Sequence, residues 1–80
     1  MSTPEAIDIR PLPTDRKAQT VRAVFGDLEA GSSFVLVDDH DPATLRTRLE
    51  AKRPGEVRWE YLKKGPHVWH VGVGRRRVAT

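Results

Sequence analysis

The chain has 80 residues, enough for one small domain, and its hydrophobic fraction of 38% can fill only a single thin core. The formal net charge of +3 equals the contribution of the three arginines at 75–77; without them 11 basic residues balance 11 acidic ones, too neutral a body for a protein that coats nucleic acid. The chain has no cysteine, which excludes disulfides, thiolate metal sites and catalysis by a thiol.

A strand and a helix are predicted in the first third of the chain. Residues 6–10 alternate between apolar and polar, the period of a half-buried strand, and the prolines within 11–13 end it because proline cannot donate to a β ladder. Thr14 or Asp15 is predicted to cap a helix that Gly31 ends. The apolar face of this helix is expected to carry Ala18, Val21, Phe25 and Leu28, with Arg16, Lys17 and Arg22 mostly outside it.

A second strand and a second helix follow. Residues 33–38 are apolar on both faces, which is typical of a central strand. Asp41 is predicted as the N-cap of the second helix and Pro42 as its first residue, since the first turn does not need the N–H that proline lacks. The helix is expected to run to about Lys52, before the Pro-Gly pair at 54–55 breaks it.

Two more strands complete the prediction. Residues 57–63 and 67–73 alternate again around a turn signal at 65–66, a pattern that predicts an antiparallel hairpin. The alternation places three aromatic side chains on faces that we expect to pack against helices rather than stack on nucleic-acid bases: Trp59, Tyr61 and Trp69.

The element order β-α-β-α-β-β predicts an α+β fold. The first two strands, joined through a helix, should be parallel with a right-handed crossover. Because two helices cannot cover both faces of a four-stranded sheet, we expect a two-layer α/β sandwich with both helices on one face and an open sheet face on the other. A single domain over 6–74 should follow a flexible leader at 1–5 and precede a basic tail at 75–80.

Nothing in the sequence indicates export or a membrane partner. The longest uninterrupted apolar run, Phe34 to Val37, is far shorter than the roughly 20 residues of a membrane-spanning helix. The N-terminal residues do not pair a basic segment with an apolar stretch, as a signal peptide would. We therefore expect a soluble cytoplasmic protein.

Four short motifs occur in the chain: Asp-His-Asp-Pro at 39–42, Arg-Pro-Gly at 53–55, Trp-Glu-Tyr-Leu at 59–62, and Gly-Pro with Val-Trp within 65–69. Their types and order resemble a bacterial family known as domain of unknown function 2249. The resemblance extends from about Ile7 to Val73. That family is similar in fold to the TusA/SirA sulfur carriers, which implies a mixed sheet whose last strand is antiparallel to the others and lies between the second and third.

The resemblance argues against sulfur transfer. The sulfur carriers have a Cys-Pro-x-Pro motif after their first strand, where this chain has Arg-Pro-Leu-Pro-Thr-Asp, and Thr14 stands at the position of the cysteine. A threonine hydroxyl cannot carry a persulfide, because that chemistry needs a polarizable thiolate. Since the family implies no reaction of its own, we expect a protein that is not an enzyme and needs no cofactor.

The implied topology predicts a polar edge that binds a ligand or partner. A last strand antiparallel to the second would bring His67 close to the residues that end the second strand, and the end of the first strand shares this edge. The candidate residues are Arg10, Thr14, Asp39, His40 and His67.

Two other interpretations of this edge remain open. His40 and His67, with a carboxylate from Asp39 or Asp41, form a donor set that zinc or non-haem iron uses, although the spacing is not diagnostic. In the plainer alternative, residues 39–42 form a strand-to-helix turn in which Asp41 only caps the helix.

The open sheet face is a second candidate surface, for another protein or domain or for a second copy of the chain. In the plainer alternative, His70 and Glu60 form a cross-strand polar pair. The residues expected on this face are Val35, Val37, Arg58, Glu60, Val68 and His70.

These observations favour a small interaction or ligand-binding module. A metal-binding or redox accessory domain that uses His40 and His67 is the first alternative. The second is RNA binding through Arg75, Arg76 and Arg77, although the neutral body disfavours a nucleic-acid partner and such a run is commonly a solvated end.

Overall fold

The predicted element order is confirmed by the computed structural model, which describes residues 5–77. Residues 1–4 of the predicted leader at 1–5 and residues 78–80 of the predicted tail lie outside the described residues, and Glu5 is the first residue of a strand. The elements are β1 (Glu5–Asp8), α1 (Thr14–Asp27), β2 (Ser33–Asp38), α2 (Ala43–Lys52), β3 (Val57–Lys63) and β4 (Trp69–Arg75).

The strands form one mixed sheet in the order β1-β2-β4-β3. β1 is parallel to β2, whereas β4 is antiparallel to both of its neighbours, β2 and β3. The expected α+β fold, with the last strand between the second and third, is therefore confirmed. The last strand begins and ends later than predicted, so that Arg75 lies in β4 and is part of the sheet.

The core lies between the helices and one face of the sheet. Val21 and Phe25 recur at helical spacing, while Phe34 and Leu36 recur at strand spacing, so each layer presents an apolar row to the other. No helix within 5–77 has the length and apolar character needed to cross a membrane. The buried cluster consists of Ile9, Ala18, Val21, Phe25, Phe34, Leu36, Leu45, Leu49, Val57, Val71 and Val73.

The predicted ends of α1 are wrong. Pro13 occupies the N-cap and no side chain caps the helix, so Thr14 is its first residue rather than its cap. The helix stops well before Gly31, because Leu28 adopts extended backbone and packs its side chain against the core. Gly31 instead takes a φ of +89° in the turn before β2, a conformation that glycine adopts without a Cβ clash.

The predicted cap of α2 is also wrong. Pro42 is the N-cap and the helix starts at Ala43, one residue later than expected. Asp41 does not cap, since its Oδ1 accepts a hydrogen bond of 2.7 Å from the hydroxyl of Tyr61 on β3. This bond raises the pKa of Tyr61, with burial of the phenol adding to the effect. The hydrogen bond from Tyr61 has replaced the predicted capping bond from Asp41 to its own helix.

The core assignment predicts a large difference between two apolar truncations. Phe25→Ala should lower the free energy of unfolding by about 3–5 kcal/mol, because Phe25 is fully buried and its loss leaves a cavity. Leu62→Ala, at a side chain that is 54% exposed, should cost no more than about 0.5 kcal/mol. Urea unfolding of both variants measures the difference, and equal costs would contradict the assignment.

Candidate functional site

A buried ion pair stands at the edge where β2 ends and α1 begins. Lys17 is only 6% exposed, and its Nζ donates to Asp38 Oδ1 at 2.8 Å and to Asp39 Oδ1 at 3.2 Å. Asp38 is fully buried and also accepts the backbone N–H of Asp39 at 2.8 Å. Since a lone buried charge is costly, each member of the pair depends on the other.

The placement of Lys17 corrects the sequence prediction, which put it mostly outside the apolar face of the helix. Lys17 precedes Val21 by four residues and Phe25 by eight, so it lies on the same face of α1 as these two apolar residues. The i, i+4 spacing could have predicted that Lys17 is buried, but a charged side chain is normally assigned to the surface. The polar network at the edge therefore includes a residue that was not a candidate.

The network joins two carboxyl groups, one lysine ammonium and one imidazole. Burial opposes the charge on Lys17, but the bonds to Asp38 and Asp39 outweigh it and raise the pKa of Lys17. His40 Nδ1 lies 2.8 Å from Asp39 Oδ1, and because a carboxylate only accepts, that nitrogen carries the proton. Bonds from His40 and then Lys17 hold the pKa of Asp39 well below its usual range. With His40 neutral, two carboxylates face one ammonium.

One acceptor of this network is left without a donor. Asp38 Oδ2 is buried and has no hydrogen-bond partner within residues 5–77. Asp38 also lines a cavity of about 110 Å³. A buried acceptor without a donor costs about 1–3 kcal/mol, so a group that donates to Oδ2 from this cavity would stabilise the site. The lining residues are Thr14, Lys17, Asp38, His40, Asp41, Pro42, Thr44, Leu45 and Arg48, and we name this space the edge cavity.

The structure brings together only part of the predicted edge. Thr14 and His40 line the edge cavity, and Asp39 hydrogen-bonds three of the residues that do. Arg10 instead forms a two-pronged ion pair with Asp8, through Nε at 2.9 Å and Nη2 at 2.7 Å. These bonds lower the pKa of the exposed Asp8 carboxyl to about 2.

A group of potential metal ligands differs from the predicted one. Within residues 5–77, one potential ligand atom from each of Asp38, Asp39 and His40 lies within 4.8 Å of the others. His67 is not a member of this group. Lys17 already bonds both carboxylates, so a cation at this point would have to displace its ammonium.

The face of the sheet away from the helices holds most of the second candidate set. Val68 lies just before β4 and is half-buried. Val37 is only 9% exposed, because Asp8 and His70 flank it on the neighbouring strands, so its expected exposure is wrong. The five predicted residues that lie in strands on this face are Val35, Val37, Arg58, Glu60 and His70.

An irregularity in β3 changes the pairing on this face. Glu60 lies opposite Gly72, and a register shift between Tyr61 and Lys63 then places Lys63 opposite His70. The predicted direct pairing of Glu60 with His70 is therefore wrong. The extra residue, Leu62, turns its side chain over Gly72, where a Cβ would lie 3.8 Å from Leu62 Cδ1, and adds an exposed apolar group that was not predicted. We name this surface the open face.

Comparison with known proteins identifies a family but no characterised relative. A family model described as "Uncharacterized conserved protein (DUF2249)" matches residues 6–75. No curated protein and no solved structure matches the chain.

The buried pair predicts strong coupling between two substitutions. Lys17→Met should lower the free energy of unfolding by about 3–5 kcal/mol, because it leaves the carboxylate of Asp38 buried and unpaired. Adding Asp38→Asn removes that charge, so the double variant should be less destabilised than the sum of the single changes. Denaturant unfolding of all four proteins gives the coupling.

An exposed ion pair offers a matched control for this cycle. Arg46 and Glu50 on α2 lie 3.1 Å apart and are both partly solvated. Arg46→Met should cost about 0.3–0.5 kcal/mol. A Lys17→Met cost as small as this one would show that the edge pair does not support the fold.

Proposed function

The chain belongs to DUF2249, a family described as uncharacterized conserved proteins, and we propose that it is a small ligand-binding module whose site is the edge cavity. The observation that carries this proposal is Asp38 Oδ2, a buried carboxylate oxygen that has no donor among residues 5–77, on a residue that lines the cavity. A group of this kind is costly unless something in the cavity bonds to it.

The charge of the network selects the class of ligand. Asp38 and Asp39 share the ammonium of Lys17, which leaves one negative charge when His40 is neutral. A protonated amine supplies both the missing donor and the missing charge. Leu45 gives the cavity an apolar wall that suits a short alkyl group. The proposed ligand is therefore a small primary amine, or the amine end of a larger molecule.

Binding fits the site better than catalysis. The chain has no thiol, and Thr14 stands where the resemblance to sulfur carriers would place one. The protonated Nδ1 of His40 bonds Asp39, so that nitrogen cannot act as a base toward Thr14. The side chains of the edge thus hold charges and donors in place without an activated nucleophile.

The amine proposal is tested by titrating the full chain with n-propylamine at neutral pH and following its amide NMR signals. Signals of Lys17, Asp38 and Asp39 should shift, whereas n-propanol and propionate should leave them in place. Asp38→Asn should weaken amine binding at least about tenfold, since it removes the charge on the acceptor. Asp41→Asn is the control, because Asp41 also lines the cavity but bonds Tyr61.

Two results would contradict this proposal. Equal shifts with propylamine and propionate would show that the site does not select a positive charge. An Asp38→Asn variant that keeps both its melting temperature and its affinity for propylamine would show that the charge of Asp38 is not used. Selective shifts of His40 by Zn²⁺, with no response to the amine, would favour the metal-binding alternative through Asp38, Asp39 and His40.

A second candidate function is self-association through the open face. Leu62 is 54% exposed on this face. Its side chain lies over Gly72, which pairs with the half-buried Val35 of β2. Arg58 and Glu60 stand on the same side of β3 and are both exposed, so in a two-fold arrangement each would meet the opposite charge on a second copy. This surface therefore favours a copy of the chain over an unrelated partner.

Self-association is tested by sedimentation equilibrium over a range of concentrations. The native chain should dimerise, and Leu62→Asp should raise the dissociation constant of the dimer at least about tenfold. Arg58→Glu should weaken the dimer, and Arg58→Glu with Glu60→Arg should restore it. A native chain that stays monomeric at millimolar concentration would contradict the proposal.

A further inference from the structure

A second cavity, of about 260 Å³, lies at the opposite end of β2 from the edge cavity. Four of its eight lining residues are arginines, and none is acidic. The remaining positions are small, which leaves room among the guanidinium groups. The lining residues are Gly31, Ser32, Ser33, Arg58, Gly74, Arg75, Arg76 and Arg77, and we name this space the arginine cavity.

Arg75 is the structural member of the group. Its Nη1 donates to the carbonyl oxygen of Leu28 at 2.7 Å, and its Nη2 lies 3.4 Å from Glu56 Oε1. Its guanidinium also stands 6.0 Å from the centre of the Phe25 ring, within reach of a cation–π contact. Arg75 therefore ties the end of β4 to the helix layer, and its charge is largely compensated inside the protein.

The other three arginines lack such compensation. None of the ion pairs formed within residues 5–77 involves Arg58, Arg76 or Arg77, and all three are exposed. The Arg58 side chain lies beside Gly74, where a Cβ would be in ordinary van der Waals contact with Arg58 Cβ and Cδ at 3.5 Å. Three like charges thus line one cavity, and an anion that binds there would reduce the repulsion between them.

The turn at the base of the arginine cavity is already bonded within the protein. The N–H of Gly31 donates to the carbonyl of Arg75 at 2.7 Å, and the N–H of Ser32 donates to Glu29 at 2.9 Å. These amides are therefore not free to hold an anion. Guanidinium groups, joined by the hydroxyls of Ser32 and Ser33, would have to supply the contacts.

We propose that the arginine cavity binds a phosphate-bearing small molecule, with Arg58, Arg76 and Arg77 as its ligands. A guanidinium presents paired N–H groups that match two phosphate oxygens, and three such groups suit a multiply charged phosphate better than a single carboxylate. The four arginines of this cavity exceed the net charge of +3, and the other residues, 10 basic and 11 acidic, have no excess positive charge with which to follow an RNA strand. A compact phosphate is therefore favoured over RNA.

The test uses the full chain, inorganic pyrophosphate as the probe and amide NMR at low ionic strength. Signals of Ser32, Ser33 and Gly74 should shift, whereas those of Asp38 and Asp39 should stay in place. The double variant Arg58→Gln/Arg76→Gln should bind at least about tenfold more weakly, because each neutral side chain loses a charge-assisted bond. Arg16→Gln, which removes an exposed arginine outside the cavity, should bind as the native chain does.

Each other outcome overturns the proposal. Absence of shifts at low salt would exclude the site, and an equal loss with Arg16→Gln would reduce it to attraction by net charge. If inorganic phosphate and pyrophosphate bind no more tightly than sulfate and chloride, the cavity holds an adventitious ion only. Tighter binding of a ten-nucleotide single-stranded RNA, with shifts that spread over the helices, would favour nucleic acid instead. Because all substituted arginines are exposed, circular dichroism should show unchanged folding in every variant.

Discussion

The antiparallel pairing of β4 with β2 positions everything of chemical interest in this molecule. It places Asp38 opposite Trp69 at one end of the central strand and Ser33 opposite Gly74 at the other. The first end receives the start of α1 and becomes the edge cavity. The second receives the end of β4 with its arginines and becomes the arginine cavity. A last strand at the margin of the sheet would separate the arginines from the turn at 31–33.

The two ends of β2 carry opposite charge, and the fold explains why each is tolerated. At the Asp38 end, the N-terminus of α1 presents the positive end of the helix dipole, and Lys17 offsets the buried carboxylate. At the other end, Glu56 and the carbonyl of Leu28 compensate Arg75, while solvent screens the remaining arginines. A six-residue strand at about 3.3 Å per residue keeps the two ends roughly 17–20 Å apart. Because this distance exceeds a Debye length of roughly 8 Å, exposed charges at the two ends are largely screened from each other.

Sequence predictions failed where a distant side chain outcompeted a local preference. Asp41 has the residue type and position of a helix cap, but its carboxylate accepts a hydrogen bond from the hydroxyl of Tyr61 instead. Lys17 has the charge of a surface residue, but Asp38 draws it into the apolar stripe. The hairpin pairs Glu60 with Gly72 rather than with His70, and no turn residue or proline in β3 announces the register shift that follows between Tyr61 and Lys63. Each error concerns a partner far along the chain.

Hydrophobic period and residue type were enough to place the strands and helices, to make β2 central and to remove thiol chemistry, because these depend on a residue and its near neighbours. The parallel pairing of β1 and β2 followed from chain connectivity, and the place of β4 in the sheet followed from a resemblance. The tertiary structure alone decided that Lys17 is buried, that one oxygen of Asp38 has no donor within the described part of the chain and that Arg58 lines a cavity with the arginines at 75–77. Such features arise from contacts between segments distant in the chain, whose geometry no local pattern encodes.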